Sequence, residues 1–141
     1  MRRGPPLPRR TGRPPLQVGG SEAGLAAATP ILDVMGKRIV HCGAHGAGQA
    51  AKLCNNLAMA VEMAGVAEAL ACGLRLGLDP VLLSQIFASS SARCWSSDTY
   101  NPCPGVLEGV PSSRGYKPGF RASLMSKVRP GSSPYPNCIL P

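Results

Sequence analysis

The sequence predicts a mainly α-helical fold, and three observations support this class. Residues 49–77 contain no proline and carry apolar side chains at intervals of three and four, which is the spacing of one long helix. Asp79 and Pro80 form an N-cap and first-turn pair that starts a second helix. The strand-like runs, Leu16–Gly20 and Lys37–Cys42, are short by comparison. We therefore expect a helical hairpin preceded by a small segment that contains strands.

The helices carry most of the predicted structure. Ser21 precedes a short helix with apolar spacing over Glu22–Met35. The long helix is apolar on more than one face, so we expect it to be central in its domain or shared with a partner chain. The remaining predicted elements are a second helix from Pro80 to about Ala88, a long loop over Ser89–Gly119 with a functional or packing role, and a third helix over Phe120–Lys127 that Pro130 stops.

Composition limits the chain to one compact domain with unusual ends. Of the 15 prolines in 141 residues, five lie in the first fifteen positions and eight lie from Pro102 onwards, so the middle of the chain is the part that can fold. The net charge of +8 resides in the two ends, and residues 16–100 are nearly neutral. With six aromatic residues in all, the chain has no basic surface on which bases stack, and we expect no specific nucleic-acid partner.

Metal and membrane sites are also not expected. The six cysteines include no CxxC pair and no histidine at a metal-ligand offset, which argues against zinc. We interpret them as reduced, intracellular thiols, because no signal-peptide core precedes them. No stretch of 18 apolar residues is free of charges and helix breakers, so no transmembrane span is expected.

A glycine-rich stretch leads into the long helix. Gly43, Gly46 and Gly48 form a GxxGxG pattern, which reverses the spacing of the dinucleotide-binding fingerprint. The favoured interpretation is a flexible turn that enters the helix. The alternative is that backbone amides at the helix N-terminus face an anionic ligand.

Lys52 is the candidate with most chemical interest. It has no carboxylate three or four residues away on either side, and Asn56 shares its helix face, so an ammonium and an amide can converge on one substrate oxygen. Desolvated lysines can transfer protons near neutral pH. From the spacing alone, a surface lysine with a half-buried stem is the favoured interpretation. His41 and His45 share no clear geometry and are interpreted as structural.

The long loop contains the single tryptophan. Trp95 lies with Asp98 and Tyr100 in the run CWSSDTYNPCPG, where it either anchors the loop by packing or lines a pocket. Packing is the favoured interpretation, because a lone tryptophan most often anchors a core.

Three segments resemble a known family, the 3-hydroxyisobutyrate branch of the β-hydroxyacid dehydrogenases. They are GAHGAGQAAKLCNN (Gly43–Asn56), LRLGLDP (Leu74–Pro80) and RCWSSDTYNPCPGVLEGVPS (Arg93–Ser112). The first carries the GxxxKxxNN pattern of the wider family, and the third is similar to a loop typical of the 3-hydroxyisobutyrate branch. The resemblance runs from about Leu16 to Lys127.

The resemblance implies an enzyme that oxidises 3-hydroxyisobutyrate to methylmalonate semialdehyde with NAD, during valine breakdown in the mitochondrial matrix. It implies a 6-phosphogluconate-dehydrogenase-like helical C-terminal domain, which forms a homo-oligomer through the long helix. By the same resemblance, Lys52 is the proton-transfer residue, Asn56 binds the substrate, Lys127 contacts NAD and Phe120 packs close to this cofactor.

The chain departs from the family at both ends. No GxGxxG strand–turn–helix and no carboxylate-gripping serine and glycine loop is present, and after Lys127 the chain has no helical pattern. The Arg-rich leader is not a convincing transit peptide, because its prolines prevent an amphipathic helix. We therefore expect a truncated chain. Its expected parts are a disordered leader (1–15), a remnant of the last strand and helix of a Rossmann domain (16–42), a helical NAD- and substrate-binding domain (43–128) and a disordered tail (129–141).

Two functional hypotheses remain open from the sequence. The first is the dehydrogenase, with Lys52 transferring the proton; because most of the cofactor site is missing, we expect the chain to be inactive alone. The second is a non-catalytic helical module that pairs through its long helix with a full-length subunit or with itself.

Overall fold

The computed structural model describes residues 14–117, whose elements alternate briefly between strand and helix before becoming wholly helical. They are, in order, β1 (Pro15–Val18), α1 (Glu22–Met35), β2 (Arg38–His41), α2 (Ala47–Arg75), α3 (Pro80–Ser89), α4 (Trp95–Asp98) and a 3₁₀ turn (Pro111–Arg114). The contacts divide the chain into two compact units, Met1–Asn55 and Asn56–Pro141. The prediction of a mainly helical chain is confirmed. The predicted helix over 120–127 and both predicted tails lie outside the described residues.

The first unit contains a β–α–β arrangement. Strands β1 and β2 pair in parallel, with Leu16 opposite Ile39, and helix α1 connects them and contacts β2. Ser21 caps α1, because its hydroxyl accepts a hydrogen bond from the Gly24 amide at 3.1 Å. At the end of β2, His41 Nε2 donates to the Gly20 carbonyl oxygen at 2.8 Å, which is consistent with a structural role for this histidine.

Two glycines let the start of α2 approach the end of β1 closely. A Cβ atom at Gly48 would lie 2.7 Å from the Gln17 carbonyl oxygen, and one at Gly19 would lie 2.8 Å from the Gly48 amide nitrogen. Both distances are far inside van der Waals contact, and the opposing atoms are backbone atoms that cannot rotate away. The positive φ of 91° at Gly46 is not helical, so α2 begins at the next residue, Ala47, two residues before the predicted start at Gln49.

The second unit contains α3 and most of α2, the two successive helices that the sequence predicts. Helix α2 ends two residues before Gly77, whose positive φ of 83° forms the turn, while the Leu78 amide donates to the Gly73 carbonyl oxygen. The Asp79 carboxylate then caps α3 by accepting from the Leu82 amide at 2.8 Å. Gly73 lies against the Leu83 side chain, so the two helices meet where one of them has no side chain.

The buried apolar core of the described residues is small. It consists of Val66 and Leu70 on α2 and Val110 on the loop, whereas Val61 on α2 keeps 66% of its surface exposed. The sequence predicts that α2 packs against other elements on more than one face. Within residues 14–117, however, few of its apolar side chains are buried.

Helix α2 also has the length and apolar composition of a membrane-crossing helix, and 17% of its most apolar window is buried. The core helices of soluble proteins have the same properties, so this is weak support for a membrane location. Glu62 and Glu68 lie in its middle, where an ionised carboxylate in a bilayer is costly. The absence of a membrane span stays a prediction.

The close approach at Gly48 gives a stability test. We expect Gly48→Ala to lower the free energy of unfolding by about 1–3 kcal/mol, because the new methyl group meets backbone atoms of Gln17 and Gly19. Gly65→Ala is the matched control on the same helix: a Cβ there meets nothing within 4 Å, and alanine raises the free energy of unfolding by about 0.5–1 kcal/mol. Urea denaturation followed by circular dichroism measures both, and equal effects of the two variants would contradict the close approach.

Candidate functional site

Lys52 and Asn56 lie four positions apart within helix α2, as predicted. Neighbours at this spacing share one face of a helix, and their Cβ atoms lie about 5–6 Å apart. The Lys52 side chain is exposed and that of Asn56 is half-buried. The desolvation that proton transfer by a lysine requires is therefore not provided by the described residues at Lys52. The roles of both residues stay predictions.

The turn before α2 is built from glycines. Gly43 and Gly46 have positive φ values of 112° and 91°, and α2 then begins with no acidic residue in its first turn. The first amides of a helix lack internal acceptors, so this end of α2 is suited to an anionic group. The electrostatics thus permit either a substrate carboxylate or a phosphate there.

This glycine turn is not arranged as a dinucleotide fingerprint. In that fingerprint the glycines follow the first strand of a β–α–β unit, whereas here they follow β2, the second strand. Gly46, Gly48 and Ala51 also satisfy the related GxGxxA spacing, but among residues 14–117 helix α2 leads to α3 and not to another strand. The local geometry favours the interpretation of a turn that enters a helix.

Buried polar groups hold the long loop in place, and sequence reasoning missed them. The Asn101 side chain is 1% exposed; its amide nitrogen donates to the Ser97 carbonyl oxygen at 3.0 Å and to Ser84 Oγ at 3.3 Å, while its carbonyl oxygen accepts from the Cys103 amide at 2.9 Å. The Ser112 hydroxyl donates to the Asn101 backbone carbonyl at 2.6 Å. A serine within the apolar run PVLLSQIF and an asparagine before a proline were the available signals. This cluster joins the loop to α3 and α4.

Trp95 packs within the same loop. Its indole stacks on the Tyr100 ring with centroids 4.7 Å apart and an interplanar angle of 11°. Beside them, Arg93 Nε donates to Asp98 Oδ2 at 3.1 Å, and Thr99 donates to the other carboxylate oxygen at 2.7 Å. The stacking favours the anchor interpretation of Trp95.

A shallow apolar groove of about 200 Å³ lies where the loop meets the C-terminal half of α2. It is lined by Ala67, Leu70, Ala71 and Leu74 of the helix and by Pro102, Cys103 and Tyr116 of the loop. Along the helix, Ala67 follows Asn56 by eleven positions, which is an axial rise of about 16 Å. The groove and Asn56 therefore lie at different levels of α2.

The groove does not provide a nucleophile. Burial raises the pKa of the Cys103 thiol, which keeps it protonated and weakly nucleophilic near neutral pH. All five cysteines among the described residues are free thiols, and within this part of the chain no cluster of three potential metal-ligating side chains occurs.

The predicted cofactor residues, Phe120 and Lys127, lie outside the described residues. The structure thus describes the two residues predicted to act on the substrate but not the two predicted to contact NAD.

Comparison with known proteins identifies the family. A family model described as the NAD-binding domain of NADP-dependent 3-hydroxyisobutyrate dehydrogenase matches residues 46–127. The chain belongs to this family of 3-hydroxyisobutyrate dehydrogenase domains, which is described as NAD-binding. The resemblance seen in the sequence is confirmed.

Individual relatives agree with this assignment. Over 118 residues the chain is 56% identical to the mitochondrial 3-hydroxyisobutyrate dehydrogenase of Homo sapiens, covering 84% of this chain and 35% of the human protein. It is 51% identical to the Pseudomonas aeruginosa enzyme over 110 residues, covering 78% and 37% of the two chains. The chain thus spans about a third of the length of the relatives it matches.

A solved structure shows the same fold. The Mycobacterium tuberculosis 3-hydroxyisobutyrate dehydrogenase with L-serine superposes with a TM-score of 0.74 at 42% identity, covering 78% of this chain and 38% of that one. The mostly helical architecture is therefore that of a 3-hydroxyisobutyrate dehydrogenase segment.

Substitution of Asn101 is expected to lower the stability of the protein markedly. Asn101→Ala removes three side-chain hydrogen bonds and leaves buried polar groups unpaired, so we expect the free energy of unfolding to fall by about 1–3 kcal/mol. Asn55→Ala, at an exposed position on α2, should change it by no more than about 0.5 kcal/mol. Chemical denaturation compares the two variants; an Asn101→Ala protein as stable as the Asn55→Ala protein would contradict a stabilising role of the cluster.

Proposed function

We propose that this chain carries the catalytic helix of an NAD-dependent 3-hydroxyisobutyrate dehydrogenase, in a 6-phosphogluconate-dehydrogenase-like helical C-terminal domain spanning 43–128. The β1–α1–β2 unit before the glycine turn supports this organisation, since a parallel pair joined by a helix is what the end of a Rossmann domain provides. We assign residues 16–42 to the end of that domain.

The reaction is the oxidation of a primary alcohol: 3-hydroxyisobutyrate and NAD⁺ give methylmalonate semialdehyde, NADH and a proton. NAD, when bound, supplies the hydride acceptor. Lys52 takes the proton of the substrate hydroxyl as the C–H bond breaks, so that charge does not accumulate on the oxygen. Asn56 holds the same substrate by its amide, one turn further along the helix face.

The observation that carries the proposal is the placement of Lys52 and Asn56. Both belong to the GxxxKxxNN pattern, both lie near the start of α2, and the pattern falls within the segment that matches the family. The first turn of the helix carries no acidic residue, which suits an anionic substrate. We assign cofactor contact to Phe120 and Lys127 from the family resemblance.

The names of the relatives support a mitochondrial location. The matching proteins of Homo sapiens and Dictyostelium discoideum are named as mitochondrial, the latter as a probable enzyme. We propose that this chain acts in the mitochondrial matrix, where its reaction serves valine breakdown.

A matched pair of variants tests the role of Lys52. In a chimaera in which residues 16–127 replace the matching segment of the human enzyme, we expect turnover that falls roughly 10²–10⁴-fold with Lys52→Ala, because the general base is lost. Lys37→Ala makes the same chemical change at an exposed position before β2 and should leave turnover unchanged. NADH formation is the readout; a Lys52→Ala chimaera as active as the Lys37→Ala chimaera would refute the assignment.

The second candidate function is a non-catalytic dimerisation fragment. The apolar surface of α2 favours it, since Leu57 and Val61 lie one turn apart on the helix and both are exposed within the described part of the chain. On this proposal the 141 residues have no turnover alone, and the chain pairs through α2 with a full-length subunit or with itself.

Sedimentation of the 141-residue chain tests this pairing. We expect a dimer, and we expect Val61→Glu to convert it to a monomer, because a carboxylate on an apolar contact face must be desolvated. Ser91→Glu adds the same charge at an exposed position outside α2 and should leave the dimer intact. A folded wild-type monomer, shown by retained helical circular dichroism, would exclude self-pairing through α2.

A further inference from the structure

We draw no further inference here: the strongest candidate, the apolar groove that Leu70 and Leu74 of helix α2 form with Cys103 and Tyr116 of the loop, carries nothing because no feature of the described residues shows what covers it.

Discussion

The constraint on which the rest of the structure depends is that helix α2 is apolar around most of its circumference. A helix of 29 residues spans roughly 43 Å, and in water such a surface has to be covered by other elements or by another chain. Val66 and Leu70 are buried, and Leu70 lies beside Pro102 and Cys103 of the loop. We propose that the remaining apolar surface is where a partner chain packs.

The two ends of α2 have different properties, and this difference links fold to function. The first turns carry Gln49, Lys52 and Asn56 after a glycine turn, so polar donors are concentrated there. The C-terminal half carries the small and apolar residues that contact the loop. One helix thus supplies the substrate-binding groups that we propose at one level and a packing surface at another.

Sequence patterns predicted the elements well, because apolar periodicity and capping residues are local features of a helix. Periodicity and the cap at Ser21 gave α1 its observed bounds, and α2 lies two residues earlier than expected at each end. The approach of Gly48 to Gln17, a contact between residues distant in sequence, was not predicted. The Asn101 cluster was missed for the same reason, since its hydrogen bonds to Ser84 leave no periodic signal. The roles of Lys52 and Asn56 came from family resemblance, because spacing alone favoured a surface lysine.

The central claim is that the polar end of α2 binds the reacting alcohol. A crystal structure of the chimaera with 3-hydroxyisobutyrate bound measures this most directly. We predict that Lys52 Nζ lies within about 2.6–3.2 Å of the substrate hydroxyl and that the Asn56 amide contacts the same molecule. A substrate hydroxyl out of reach of Lys52, or a substrate held at the Cys103 groove, would contradict it.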